Sequence, residues 1–263
     1  MKPRLAMTSS SKILYEAAGG AARITLNRPE KRNALDAEII SGLHSAFERA
    51  SADDAVRVVA LGGTGRDFCS GADLAELEGS LDNPPGQNLA AARTLADLFL
   101  RMRRHRCPIV ALVRGRALAG GCGLASACDI VLSEESAQFG YPEVNIGFIP
   151  AMVMAILRRA VTEKRAFEWI VSGEIFPAAM AREAGLVNQV FPDAAFEESA
   201  NAYLKKLSAK PPEAVMLTKR LLYHTDMMSF ESALETGAQA NVIARMTEDC
   251  RAGLKKFLKK SGR

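Results

Sequence analysis

Short apolar runs alternate with amphipathic stretches through the first 150 residues, and this alternation restricts the fold more than any other feature. Residues 12–17 and 21–27 are β-prone and separated by Gly19-Gly20, the pattern of a hairpin. Within 36–52, Ile39, Leu43 and Phe47 recur every four residues and lay an apolar stripe along a helix. A buried strand at 57–61 follows, then helix 89–106, strand 109–113, helix 120–127 and strand 129–132, with Gly or Pro at most junctions. Strands that return through helices form parallel crossover units, so this part of the chain is α/β. After Pro150 the strand signal nearly vanishes, and 151–159, 163–171, 178–184, 193–208, 212–224, 229–245 and 250–260 all read as helical. Residues 81–87, with Asn83-Pro84-Pro85-Gly86, read as a flexible loop, because two prolines and a glycine do not continue the flanking helices.

A chain of 263 residues with 48% hydrophobic and 24% charged residues can bury one large core and carry at most a small helical appendage. Its net charge, 34 − 30 = +4, suits an anionic ligand and is too small to demand nucleic acid. Five cysteines, an odd number in no zinc-ligand spacing, suit a reducing compartment, and no apolar stretch resembles a secretory signal or a membrane span. A cytoplasmic protein is the expectation, with no membrane partner and with Met7 as an alternative start to Met1.

Three segments carry chemistry. In Asp67-Phe68-Cys69-Ser70-Gly71-Ala72-Asp73-Leu74, Gly71 permits a tight turn that leaves the Ala72 N–H pointing outward, and Asp73 with Glu76 reads as a capping pair. In Arg114-Gly115-Arg116-Ala117-Leu118-Ala119-Gly120-Gly121-Cys122-Gly123, a buried strand runs into glycines that open a small-residue helix, whose positive end faces any nearby anion. The glycine spacing is neither a P-loop nor a dinucleotide fingerprint. The third, Phe139-Gly140-Tyr141-Pro142-Glu143-Val144-Asn145-Ile146-Gly147-Phe148-Ile149-Pro150, reads as extended, and its lone carboxylate in an apolar run reads as buried and positioned.

In this order and at these separations the segments resemble the crotonase (enoyl-CoA hydratase/isomerase) superfamily, from Asn27-Arg28-Pro29 through Lys260. The resemblance implies a spiral of repeated ββα units over residues 1–200 and a helical trimerisation segment over 201–263. It implies an acyl-CoA thioester as substrate, held between the N–H groups of Ala72 and Gly120, with Glu143 as acid and base. Gly71, Asp73, Leu74, Gly121 and Gly123 then line the substrate, Arg28, Lys31 and Arg32 lie at the coenzyme A entrance, and Phe257 and Lys260 of a neighbouring subunit close over the nucleotide. No cofactor is implied beyond the coenzyme A of the substrate, and no metal.

Many hydratases of the superfamily carry a second glutamate where this chain has Gly123, and a polar Gly-Gly-Thr-Gln stretch where it has Ala151-Met152-Val153-Met154. One base suffices for a Δ3–Δ2-enoyl-CoA isomerase, yet one carboxylate can also deliver water and return its proton on the same face. Glycine at 123, with the run 146–151, resembles hydratases of branched or carboxylated enoyl-CoAs, which favours hydration and keeps isomerisation as the alternative. The basic run Arg101, Arg103, Arg104, His105, Arg106 raises a remoter reading as a non-catalytic RNA-binding or scaffold protein. That run ends a helix and has no interleaved aromatics, so solvated cations offsetting the helix dipole are the simpler account. Assembly as a trimer or a dimer of trimers follows from the resemblance alone.

Overall fold

The computed structural model describes residues 11–260, without the side chain of Lys260, so the choice between Met1 and Met7 lies outside the described residues. The strands are β1 (Ile13–Ala18), β2 (Ala21–Leu26), β3 (Val58–Gly63), β4 (Ile109–Val113), β5 (Arg116–Leu118), β6 (Ile130–Glu134), β7 (Gln138–Gly140), β8 (Ile175–Pro177) and β9 (Gln189–Phe191). The larger sheet runs β1-β2-β3-β4-β6-β9 and is parallel after the β1–β2 hairpin, whose turn uses Gly19 and Gly20 at φ +58° and +84°. The smaller sheet runs β5-β7-β8 and is extended by a bridge between Cys69 and Ala117. The pairs β4-β5 and β6-β7 each lay one strand in the large sheet and one in the small before a helix, starting at Gly120 and at Ala151, the ββα spiral that the resemblance implies.

The helices are α1 (Ala37–Ala52), α2 (Leu74–Gly79), α3 (Pro85–Arg104), α4 (Gly120–Ser126), α5 (Ala151–Ala160), α6 (Glu163–Ser172), α7 (Ala178–Glu183), α8 (Phe196–Ser208), α9 (Pro212–His224), α10 (Phe230–Met246) and α11 (Glu248–Lys260). Both faces of the large sheet are covered, which is why its strands read as unbroken apolar runs. Val59, Leu61, Ile109 and Ala111 face a core shared with Ile39, Leu43 and Phe47 of α1 and Leu98 and Met102 of α3. Val58, Ala60, Val110 and Leu112 face Phe196, Ala200 and Leu204 of α8.

Three expectations are corrected. The 81–87 loop is shorter, because Pro85 starts α3 at the one helical position where a missing N–H costs nothing, after Pro84 as N-cap. Strands do occur after Pro150: β8 and β9 hold three residues each and are stabilised by pairing with β7 and β6 rather than by their own composition. A division at 200/201 falls inside α8, which Phe196, Ala200 and Leu204 lock onto the sheet, so the helical appendage begins with α9.

Lys219 of α9 docks that appendage. Its ammonium is buried, lies 2.7 Å from Asp129 Oδ2 and donates to the carbonyls of Met102 and Cys107, while the Tyr223 hydroxyl donates to Asp129 Oδ1 at 2.6 Å. Burial depresses the Lys219 pKa, which Asp129 opposes. Lys219→Met is expected to cost about 3–5 kcal/mol, because it leaves a buried carboxylate without its cation. The midpoint of urea unfolding measures this.

Candidate active site

The Ala72 amide is aimed by its neighbours. Leu35 N–H donates to Gly71 O at 2.7 Å and Asp73 N–H donates to Leu35 O at 2.8 Å, so residues 71 and 73 both turn toward Leu35. Along an extended segment the intervening residue points the other way. The Ala72 N–H is thereby directed away from Leu35, without a hydrogen-bond partner among the described residues, at an exposed position. Gly71 holds φ +98° to make this turn.

Gly120 arrives from the opposite side. Ala119, pinned by its N–H to Gly140 O at 2.8 Å, adopts φ 51° and ψ −129°, strained for a residue with a Cβ, and this turns the following peptide so that the Gly120 N–H leaves the chain free of any described partner. A methyl on Gly71 would lie 3.3 Å from the Gly120 nitrogen, and one on Gly120 would lie 3.9 Å from the Ala72 nitrogen. Two amides so close can donate to one oxygen. Gly121 is required by packing: a methyl there would sit 2.3 Å from the Cys69 carbonyl oxygen. With seven residues, α4 has little macrodipole, and its first-turn N–H groups act locally.

Glu143 is reached through the same hydrogen bond, since β7 ends at Gly140 beside Ala119. Residues Pro142–Ile146 form a 3-10 turn rather than the extended stretch expected, with Pro142 supplying the fixed φ and Asn145 Nδ2 donating to Gly173 O at 3.2 Å. The Glu143 side chain is buried, 8% exposed, and its Oε2 has no partner among the described residues. Burial raises its pKa above the ordinary glutamate value. Behind it the Tyr141 hydroxyl lies 3.0 Å from Ser126 Oγ, and burial pushes the Cys122 thiol up to about 12, so neither competes with Glu143 as a base.

At Gly123 a methyl would lie 2.3 Å from Val153 Cγ2, so α5 fills the space a side chain at 123 would need. Among the other residues singled out, Leu74 is 63% exposed beside Ala72, and Lys31 and Arg32 are exposed one turn after Arg28. Arg28 is mostly buried and paired with Asp36 and Asp73. Asp73 caps α2 through Oδ1, but Glu76 does not complete a capping box; its carboxylate accepts from the Ala37 N–H at the start of α1. Phe257 is exposed on α11, and the side chain of Lys260 lies outside the described residues. Sequence reasoning missed Ala119, whose only signal is its place between a strand and two glycines.

A cavity of about 750 Å³ opens at the far end of α4, lined by Phe99, Ser126, Met152, Ile156, Arg103 and Arg159 among others. Both arginines bind the one carboxylate of Asp226. Of the rest of the basic run, Arg101 lies 3.8 Å from Glu48, Arg106 binds the carbonyls of Ser51 and Asp53, His105 is buried and Arg104 is exposed. Among the described residues no group of three or more His, Cys, Asp or Glu is placed to hold a metal. No described helix is long and apolar enough to cross a membrane.

Residues 16–262 match the Enoyl-CoA hydratase/isomerase family. The chain is 40% identical over 242 residues to a Thermus thermophilus protein provisionally named an enoyl-CoA hydratase, covering 92% of this chain and 96% of that one. It is 34% identical to the 2,3-dehydroadipyl-CoA hydratase of Escherichia coli, covering 90% and 91%. Among solved structures, the enoyl-CoA hydratase of Mycobacterium smegmatis superposes with a TM-score of 0.91 at 31% identity, covering 95% and 97% of the two chains. Matched along nearly its whole length in sequence and in fold, the chain belongs to the enoyl-CoA hydratase/isomerase family.

Proposed function

We propose that the protein adds water to a 2-enoyl-CoA, using Glu143 as its one acid–base group and the N–H groups of Ala72 and Gly120 as an oxyanion hole. The observation that carries this reading is the close approach of two unpartnered amides, in a fold that also buries the Glu143 carboxylate with an unpartnered oxygen. Water attacks C3 as its proton passes to the Glu143 carboxylate, the charge moves to the thioester oxygen held by the two N–H groups, and the protonated Glu143 returns the proton to C2. The hydratase names of relatives support the direction of the chemistry. The apparatus needs no metal. Five unpaired thiols suit a reducing compartment such as the cytoplasm.

A carboxylated acyl chain is the favoured substrate class. One relative is named for a dicarboxylic acyl-CoA, and the cavity at the far end of α4, about 9 Å from Gly120 at 1.5 Å per residue, has room for a longer acyl chain, its two arginines being already paired with Asp226. A series of straight, branched and carboxylated enoyl-CoAs tests both points: hydration removes the conjugated absorbance, and the carboxylated members are expected to give the highest kcat/KM. Absence of hydration across the series refutes the reading.

The second reading, Δ3–Δ2 isomerisation, is favoured by the contact between Gly123 and Val153, which leaves no room for a second carboxylate. A 3-enoyl-CoA that gains conjugated absorbance supports it. Gly123→Glu alone is expected to cost about 1–3 kcal/mol by overpacking and to leave hydration no faster. Thermal melting and turnover of that variant check both halves.

Assembly as a trimer or a pair of trimers accompanies this reading. Helix α10 has no buried residue, and Leu234, Val242, Ile243 and Met246 are 54–68% exposed. Apolar area of that extent gains by leaving water. Light scattering is expected to give a multiple of the 28.3 kDa chain.

A further inference from the structure

Arg28 stands where two helix starts and the Ala72 segment meet. Its Nη1 donates to Asp73 Oδ2 at 2.6 Å and lies 3.0 Å from Asp36 Oδ2, with all three side chains at most 16% exposed. Each carboxylate uses its other oxygen as a cap: Asp36 Oδ1 accepts from the Ile39 N–H of α1 at 2.8 Å, and Asp73 Oδ1 from the Ala75 N–H of α2 at 2.9 Å. Lys12 Nζ adds a second cation 2.6 Å from Asp36 Oδ2. The Leu35–Ala72 bridge lies between, because Asp36 follows Leu35 and Asp73 follows Ala72.

We propose that Arg28 is a positioning residue that holds the Ala72 amide in the oxyanion pair, rather than a cation for the phosphates of coenzyme A. This rests on the role proposed above for Ala72. The Arg28 Nη1 is committed to two carboxylates, its Nε lies 4.0 Å from Glu30 Oε1, and the side chain is 16% exposed, so little of its charge is left to offer a phosphate. Without it, two carboxylates that share one cation are left to repel each other across the bridge that aims the amide. Lys12 contacts Asp36 and Glu38, both at 2.6 Å, and not Asp73, so it cannot replace the link. A side chain that merely stabilised the fold would affect melting, with no selective effect on the bridge or on the chemical step.

The test compares the wild-type chain with Arg28→Met, Arg28→Lys and Arg28→Met/Asp36→Asn. Hydrogen exchange at the Leu35 and Asp73 amides, turnover, and the affinity for coenzyme A itself are measured for each. In Arg28→Met both amides are expected to exchange faster while the amides of β4 keep their protection. Its kcat is expected to fall about 10- to 100-fold, the scale of a misplaced donor, with coenzyme A affinity unchanged. Arg28→Lys keeps the charge but not the fork, so its loss is expected to be smaller. The double variant retains an α1 cap, removes one of the repelling carboxylates and is expected to recover part of kcat. Weaker coenzyme A binding with kcat preserved would overturn the proposal, as would unchanged exchange at residues 35 and 73. A wild-type chain inert toward enoyl-CoAs refutes the reaction and is seen in the control, whereas failure of the Arg28 role is seen only in the comparison of variants.

Discussion

Glu143→Gln is expected to lower turnover about 10²- to 10⁴-fold and at the same time to raise thermal stability at neutral pH. Both effects come from one carboxyl group that the fold buries with Oε2 unpartnered. Its pKa is higher folded than unfolded, owing to desolvation, so the folded state holds this proton more tightly. The stabilisation linked to that proton is therefore fully present below the unfolded pKa and is lost as pH rises through the raised folded value. Above that raised value the native protein carries a buried charge that the amide of glutamine does not impose, and the stability difference is expected to vanish toward acid. Catalysis has the opposite slope, because only the ionised form takes the proton from water: the acid limb of kcat should have its midpoint above the ordinary glutamate range. Melting temperature and kcat measured across pH for both proteins check this. A variant that keeps near-normal turnover would remove Glu143 from the chemistry, and one less stable than wild type at neutral pH would contradict the cost of its buried charge.

Gly71→Ala is the second large effect. Residue 71 holds φ +98°, and an added methyl would meet Ala119 Cβ at 2.7 Å, Leu118 O at 3.1 Å and the Gly120 nitrogen at 3.3 Å. It is expected to lower kcat/KM about 10²- to 10³-fold, the cost of losing one oxyanion donor, and stability by about 1–3 kcal/mol of backbone strain. Gly19→Ala separates the two terms: residue 19 has φ +58° in the β1–β2 turn, with nothing within 4 Å of an added methyl. That control is expected to lose stability without losing kcat/KM. Equal loss of activity in both variants would place the effect of Gly71 in the fold rather than at the amide pair.

How far the sequence can be read depends on where each structure gets its stability. Strand β4 was legible because both of its faces are buried, and α1 because its apolar stripe has helical spacing. Strands β5, β7, β8 and β9 were not, since three residues are too few to show an alternation and their hydrogen bonds come from partners distant in sequence. Gly71, Gly120 and Glu143 were singled out by their order along the chain, and the fold sets Gly71 against Gly120. What the order could not reveal was Ala119, whose left-handed backbone is imposed by the bond to Gly140, or the ion pairs that withdraw Arg28. Gly123 looked like a missing acid, yet the space is taken by Val153, a residue thirty positions on.

Vibrational spectroscopy of a bound, unreactive saturated acyl-CoA, isotopically labelled at its thioester carbonyl, addresses the paired amides most directly. Two N–H groups aimed at that oxygen draw electron density onto it and weaken the double bond. The labelled band is expected to move to lower wavenumber on binding to the wild-type chain and to move less in Gly71→Ala. A carbonyl band that stays at its solution position in the wild-type complex would contradict convergence of Ala72 and Gly120 on the thioester.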